Sequence, residues 1–184
     1  MTIIAAAIDA TGGYIASDSA CSFGDQIVDI GSKLIVVQRD LVVGFTGQHV
    51  IDSLFSAGEL DSTLDALKGG ADRWNVGRWW WAVYDYHRSH GTLNPSHDMP
   101  SWGLAVTPDQ VISINADGSS FVIVDGYFAV GSGREIGQGV LWATRRRKAV
   151  TRVEMAVQAC LRHCNGCGGS VHLARAVRYG GAHA

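Results

Sequence analysis

Charged residues are scarce in this chain, at 17% of its 184 residues. The 15 Lys and Arg nearly balance the 17 Asp and Glu, so the net charge is −2 and no overall basic field exists to attract nucleic acid. With 47% hydrophobic residues, the composition is also far from that of a disordered chain. We therefore predict a folded protein that hides part of its surface against other subunits and has no nucleic-acid partner.

Long hydrophobic runs are also missing. Apolar stretches such as residues 2–8 and 34–37 are much shorter than the roughly 20 residues of a membrane-spanning helix. The amino terminus lacks the basic segment and long apolar core of a secretory signal. Three of the four cysteines crowd into residues 160–167, unlike the spread spacing of a secreted disulfide framework. These absences predict no membrane partner, reduced thiols and a cytoplasmic location.

Hydrophobic periodicity predicts strands at both ends of the chain and helices that arrive in pairs. Strands are predicted over residues 2–8, 14–19, 32–37, 41–46, 102–107, 111–115, 121–124, 127–130 and 170–177, and helices over residues 48–68, 73–90, 136–145 and 153–162. Paired helices argue against a doubly wound parallel sheet. We predict one domain over residues 1–184, of the α+β class, with two facing antiparallel sheets covered by helix pairs in an αββα sandwich.

Thr2 stands directly behind the initiator Met, at the head of the first predicted strand. If Met1 is removed, this residue carries both a hydroxyl nucleophile and a free α-amine. An α-amine has an ordinary pKa of about 7.7–8.0, which suits a general base near neutral pH. Thr is a common second residue, so the rest of the sequence has to decide whether the hydroxyl and α-amine of Thr2 act in catalysis.

Six short segments give that context. They are Thr2-Ile3-Ile4-Ala5, Ala16-Ser17-Asp18-Ser19, Ser32-Lys33-Leu34, Gly44-Phe45-Thr46-Gly47, Ala129-Val130-Gly131-Ser132-Gly133 and Cys167-Gly168-Gly169. In order and spacing they resemble the proteasome β-subunit and HslV family of N-terminal nucleophile (Ntn) hydrolases. The resemblance covers nearly the whole chain except about residues 69–100, and the short length is similar to a compact bacterial or phage-type member.

This resemblance implies a threonine peptidase. It implies that the Thr2 hydroxyl attacks a peptide carbonyl, that Lys33 points at this hydroxyl, and that Asp18 pairs with Lys33. It also implies that the N–H of Gly47 helps to form an oxyanion hole and that Ser132 hydrogen-bonds the terminal amine. By the same likeness we expect no cofactor, a ring of identical subunits, unfolded protein or peptide substrates, and an ATP-dependent unfoldase as a possible partner.

One segment departs from the family pattern. Proteasome β-subunits usually carry Asp, two further residues and then Ser-Gly-Gly, whereas this chain has Cys164-Asn165-Gly166-Cys167-Gly168-Gly169. A thiol does not reproduce the charge of a carboxylate. This leaves open a catalytically weak or inactive structural subunit, and an Ntn hydrolase of small amides.

Two other features allow more than one interpretation. Cys160, Cys164 and Cys167 with nearby histidines have partly zinc-like spacing, but no second CxxC pair is present, so buried thiols are favoured over a metal site. Trp79, Trp80 and Trp81 cannot all lie on one face of a helix. At least one is therefore expected to reach solvent or a neighbouring subunit.

Overall fold

The computed structural model describes residues 2–23, 26–47, 54–99 and 101–178. The strands are β1 (Ile3–Asp9), β2 (Gly12–Asp18), β3 (Ala20–Phe23), β4 (Gln26–Asp29), β5 (Leu34–Gln38), β6 (Leu41–Gly47), β7 (Ser101–Val106), β8 (Val111–Ile114), β9 (Ser120–Val122), β10 (Tyr127–Gly131) and β11 (Val171–Ala176). The helices are α1 (Arg73–Ser89), α2 (Arg134–Ala143) and α3 (Ala149–His163), with a 3-10 helix at Asp61–Leu67.

Two antiparallel sheets carry the fold. The first has the strand order β10-β1-β2-β11 and the second the order β5-β6-β7-β8-β9, while β3 and β4 form a separate hairpin. In the first sheet β1 is internal, so Ile4 lies opposite both Val130 on β10 and Ser17 on β2. The two hairpins predicted in the first 47 residues, β1–β2 and β5–β6, are confirmed.

Strand β1 is buried on both faces, which explains its uninterrupted apolar sequence. Alternate side chains point to opposite faces of a strand. Ile4 and Ala6 join the apolar cluster between the two sheets, with Val42 and Leu104 of the second sheet. Ile3 and its alternate neighbours instead belong to the cluster beneath α2 and α3.

The outer faces of both sheets are covered by helical segments. Helices α2 and α3 pack on the first sheet through buried residues such as Leu141, Val153 and Val157. Helix α1 and the 3-10 helix pack on the second sheet, around Trp79 and Trp80. This arrangement confirms the four-layer αββα sandwich.

The sequence determines both the start and the buried face of α1. The Asp72 carboxylate accepts hydrogen bonds from the N–H groups of Trp74 and Asn75, each at 2.8 Å, and so caps the helix. Trp79 and Trp80 are fully buried, whereas Trp81 is 53% exposed. The expectation that one tryptophan of the triplet reaches the surface is therefore confirmed.

The helix predicted over residues 48–68 is wrong in its described part. Residues 48–53 lie outside the described residues; residues 54–56 form a helical turn, and the regular segment after it is the 3-10 helix. Between them Gly58 has a φ of 75°, a left-handed conformation that ends a right-handed helix. The β3–β4 hairpin was not predicted, because its strands are only four residues long.

Candidate active site

A buried lysine joins a carboxylate to the Thr2 hydroxyl. The Nζ atom of Lys33 lies 2.7 Å from Oδ1 of Asp18 and 2.9 Å from Oγ1 of Thr2. The side chains of Lys33 and Asp18 have no exposed surface, and Thr2 is 4% exposed. A positive charge is thus fixed beside a hydroxyl that water scarcely reaches.

Each of these residues lies at the end of a strand. Thr2 directly precedes β1, Asp18 ends β2, and Lys33 directly precedes β5 of the second sheet. The carbonyl of Lys33 accepts the N–H of Phe45 on β6 at 3.3 Å, which anchors its backbone. The cluster therefore forms where the two facing sheets meet at one end of the sandwich.

Backbone donors complete the surroundings of the Asp18 carboxylate. Its Oδ1 accepts the N–H of Ile3 at 3.0 Å in addition to Lys33, and its Oδ2 accepts the N–H of Gly168 at 3.2 Å. Removing two charges from water costs several kcal/mol per ion unless close pairing and further hydrogen bonds compensate for it. The extra donors supply that compensation and also fix the direction of the carboxylate.

Ser132 lies on the other side of Thr2. The backbone nitrogen of Thr2 donates to Oγ of Ser132 at 3.0 Å, and this hydroxyl is within donating distance of the carbonyls of Thr2 (3.2 Å) and Gly166 (3.3 Å). Gly131 has a φ of 98°, and a Cβ there would collide with the Thr2 carbonyl oxygen. The glycine before Ser132 thus permits this close approach.

The structure brings together four of the five residues selected from the sequence: Thr2, Asp18, Lys33 and Ser132. The fifth, Gly47, is exposed and ends β6, opposite Ser101 on β7. It lies two residues beyond Phe45, whose N–H binds the Lys33 carbonyl. Gly47 therefore occupies the strand beside Lys33 rather than the buried cluster.

Several groups that hold the cluster were missed by sequence reasoning. The N–H of Gly168 and the carbonyl of Gly166 act through the backbone, which residue type alone does not reveal. Ser19 follows Asp18 directly; its Oγ accepts the N–H of Ser170 at 2.8 Å and ties β2 to the segment before β11. The position of Ser19 beside Asp18 in the sequence was the available signal.

Three cysteines lie close behind this cluster. Sγ of Cys160 donates to the carbonyl of Gly133 at 3.2 Å, and Cys160 and Cys167 are hydrogen-bonded through their thiols. That hydrogen bond lowers the pKa of Cys160 and raises the pKa of Cys167, where burial acts in the same direction. Among the described residues, no set of three or more His, Cys, Asp or Glu side chains is arranged to hold a metal ion.

No protein-family model matches this chain. No curated protein matches it in sequence either. In the described parts of the chain, no helix has the length and apolar character needed to cross a bilayer.

Solved structures do resemble it. Thiobacillus denitrificans BPH is 18% identical with a TM-score of 0.79, and covers 97% of this chain and all of its own. The structure of the same protein in complex with epoxomicin is 18% identical in sequence with a TM-score of 0.78. The match covers 96% of this chain and all of that one. The eukaryotic HslV from Trypanosoma brucei is 13% identical with a TM-score of 0.72, again over 96% of this chain and all of its own. The fold of this chain is thus that of the proteasome and HslV-like Ntn hydrolases.

Proposed function

We propose that this chain, as one domain of residues 1–184, is a threonine peptidase that hydrolyses peptide bonds through Thr2 once Met1 has been removed. The observation that carries the proposal is the buried contact of the Lys33 ammonium with both the Thr2 hydroxyl and the Asp18 carboxylate. An ammonium held 2.9 Å from a hydroxyl oxygen stabilises the negative charge that develops there during nucleophilic attack.

The proposed reaction begins with attack of Thr2 Oγ1 on a peptide carbonyl carbon. The free α-amine of Thr2, directly or through a water, accepts the hydroxyl proton and later gives it to the departing amine. The N–H of Gly47 is proposed to bind the carbonyl oxygen of the tetrahedral intermediate. Water then hydrolyses the ester formed on Thr2, which frees the acid product and restores the hydroxyl.

Asp18 and Ser132 are positioning residues in this scheme. Asp18 holds the ammonium of Lys33 at 2.7 Å and fixes the first peptide of β1 through Ile3. Ser132 contacts the Thr2 nitrogen at 3.0 Å, where the terminal amine would lie after Met1 is removed. A hydroxyl can both donate and accept, so Ser132 can follow the amine as its protonation changes.

The comparison structures support the same chemistry. BPH has been solved with epoxomicin bound, and its fold matches this chain over 96% of the sequence. An epoxyketone such as epoxomicin offers a ketone to a hydroxyl and an epoxide to an amine. A terminal threonine presents both of these groups on one residue.

We further propose that the chain works in the cytoplasm as a ring of identical subunits that encloses the Thr2 sites. Such enclosure would limit substrates to unfolded proteins and short peptides, and an ATP-dependent unfoldase is the corresponding partner. The HslV-like fold and the low charge content support this assembly.

Intact-mass spectrometry before and after epoxomicin tests the nucleophile. We expect the chain to lack Met1 and to gain one epoxomicin mass, located on Thr2. Thr2→Ala should gain none. The matched control is Thr11→Ala, because Thr11 is exposed at the far end of the β1–β2 hairpin and should leave labelling unchanged. A processed chain that stays unlabelled would overturn the proposal.

A catalytically weak or inactive structural subunit is the second candidate, because thiols occupy positions 164 and 167. Slow labelling of Thr2 without turnover of casein-like chains would support it. Turnover of small amides but not of such chains would instead identify a small-amide Ntn hydrolase.

A further inference from the structure

Two cysteine thiols meet beside Gly133, and a third lies next to one of them. A Cβ placed on Gly133 would lie 2.9 Å from Sγ of Cys160 and 2.9 Å from Sγ of Cys167, so the two sulfur atoms flank this glycine. Cys164 also hydrogen-bonds through its thiol to Cys167. Cys167 therefore lies between two potential partners in thiol chemistry.

The backbone sets the distance between Cys164 and Cys167. The N–H of Cys167 donates to the carbonyl of Cys164 at 3.1 Å, and residues 165–166 form the turn between them. A turn of this kind keeps its first and fourth Cα atoms within about 7 Å. Disulfides usually join Cα atoms about 4.4–6.8 Å apart, so this pair needs little movement to form one.

The three thiols differ in access to solvent. Cys160 is fully buried and Cys167 is almost so, whereas Cys164 at the end of α3 is partly exposed. A reagent in solution therefore reaches Cys164 first. Cys167 is the thiol next to it in the same turn.

The turn also carries two contacts of the Thr2 cluster. The carbonyl of Gly166 is within hydrogen-bond distance of the Ser132 hydroxyl, and the N–H of Gly168 donates to Asp18. The Cys164 thiol itself hydrogen-bonds with Ser132. Cys164 and Cys167 thus lie on a turn that directly contacts Ser132, which binds Thr2, and Asp18, which binds Lys33.

We propose that Cys164 and Cys167 are a redox-modification site, which low-molecular-weight disulfides such as oxidised glutathione convert into an intramolecular disulfide. The Cys164 thiolate attacks one sulfur of glutathione disulfide; its S–S bond breaks and one glutathione thiolate leaves and takes up a proton. Cys167 then loses its proton and attacks Sγ of Cys164, which releases the second glutathione. Two protein thiols are oxidised and one glutathione disulfide is reduced to two thiols.

The disulfide consumes the Cys164 thiol that hydrogen-bonds with Ser132, and so changes the contacts of a residue that binds the Thr2 nitrogen. We expect at least a tenfold loss of peptidase activity, fully reversed by dithiothreitol. This effect on activity rests on the proposed function, whereas the disulfide does not. Burial raises the pKa of Cys164, so its oxidation should accelerate from pH 7 to pH 9 as the thiolate fraction grows.

Peptide mapping after treatment with glutathione disulfide, acid quenching and alkylation tests the site. Trypsin releases residues 163–175 with both Cys164 and Cys167, and residues 153–162 with Cys160. We expect the 163–175 peptide to be unalkylated and lighter by two hydrogen atoms than its reduced form. Cys164→Ser should prevent this product, and the control Cys21→Ser should not.

Other products would overturn the assignment. A cross-link between the 153–162 and 163–175 peptides would make Cys160 the partner, and a lasting glutathione adduct or four unmodified thiols would show that no disulfide forms. Failure of epoxomicin labelling in the fully reduced protein would count against the peptidase alone. The two proposals are thus tested separately.

Discussion

At the scale of single residues, the Lys33–Asp18 pair is a fully buried ion pair with its charged atoms 2.7 Å apart. Lys33→Met would leave the buried Asp18 carboxylate without its cation, a change that usually costs about 3–5 kcal/mol. The N–H groups of Ile3 and Gly168 still bind this carboxylate. We therefore expect urea denaturation to show a free energy of unfolding lower by about 3 kcal/mol, the smaller end of that range.

The matched control for this variant is Lys68→Met. Lys68 pairs with Asp65 at 3.0 Å, but both side chains are about three-quarters exposed, so solvent already screens their attraction. Its unfolding midpoint should change little. If the two variants lowered the free energy of unfolding equally, the buried Lys33–Asp18 pair would contribute no more stability than the exposed Lys68–Asp65 pair.

His87 provides a pH-dependent prediction at the same scale. It is fully buried, its Nδ1 lies 2.7 Å from Oγ1 of Thr92, and burial, together with repulsion from His90, lowers its pKa below 6.5. The unfolded chain therefore takes up a proton near pH 6.5 that the folded chain resists. The contribution of neutral His87 to stability is present above pH 6.5 and is lost as the pH falls.

Thermal unfolding from pH 7.5 to pH 5.5 measures this effect. The wild-type midpoint should fall more steeply with acidification than that of His87→Asn, in which the amide keeps the hydrogen bond to Thr92 but does not titrate. His163→Asn, at an exposed position, should retain the wild-type slope. Parallel curves for wild type and His87→Asn would contradict the assignment.

At the scale of elements, Arg152 joins two helices. It lies on α3, and its guanidinium donates from Nε (3.3 Å) and Nη2 (3.1 Å) to the carbonyl of Leu141 in the last turn of α2. Helix ends leave such carbonyls without partners inside the helix. Hydrogen bonds to charged groups contribute about 1.5–3 kcal/mol, so Arg152→Ala should lower the free energy of unfolding by about 2 kcal/mol.

Arg145→Ala is the control for this prediction. Arg145 also contacts a carbonyl of α2, that of Trp142 at 3.3 Å, but it is exposed. Water can replace its hydrogen bond, so the loss of unfolding free energy measured by chemical denaturation should be much smaller for Arg145→Ala than for Arg152→Ala. If both variants unfold at the same denaturant concentration, the buried hydrogen bonds of Arg152 add no more stability than the exposed one of Arg145.

The order of elements could be predicted where periodicity is strong. The apolar β1 run, the β5–β6 hairpin and the paired helices α2 and α3 follow from sequence pattern alone. The segment before α1 could not be predicted, because Leu60, Leu64 and Leu67 continue an apolar stripe at helical spacing, whereas Gly58 just before them turns the chain out of the helix. Apolar spacing reports burial, whereas the backbone conformation of one glycine decides continuity.

The site was predictable to a similar extent. Thr2 was selected for its place behind Met1, and Asp18, Lys33 and Ser132 through the resemblance to the proteasome β-subunit and HslV family. The structure brings these four residues together, and their chemical roles are proposed. The contributions of Gly166 and Gly168 could not be foreseen, since they depend on how the α3–β11 connection folds back onto Asp18 and Ser132.

At the scale of the whole molecule, an exposed aromatic groove is a candidate contact surface for the proposed assembly. It lies between α1 and β9, has a volume of about 920 Å³, and is lined by residues that include Trp74, Trp81 and Phe121. Trp74 is 67% and Phe121 54% exposed. Apolar patches of this kind commonly mark contact surfaces between proteins.

Light scattering coupled to size-exclusion chromatography tests whether this groove joins subunits. We expect a mass several times the 19.6 kDa of one chain. Trp81→Glu should shift the protein to smaller species because it places a charge in the contact. Arg88→Glu, an exposed charge reversal on the same helix, should leave the assembly intact. A monomeric wild type would refute both the contact and the ring.

The separation along the chain of the groups around Thr2 has a consequence for how the protein is made. The Thr2 nitrogen meets a side chain 130 residues away, and Asp18 meets a backbone N–H 150 residues away. Contacts between distant parts of a chain form late in folding, because closing long loops costs entropy before it is repaid. A chain still emerging from the ribosome therefore lacks the Ser132 and Gly168 contacts of the Thr2 cluster, which form only after these distant segments have been made and have folded back.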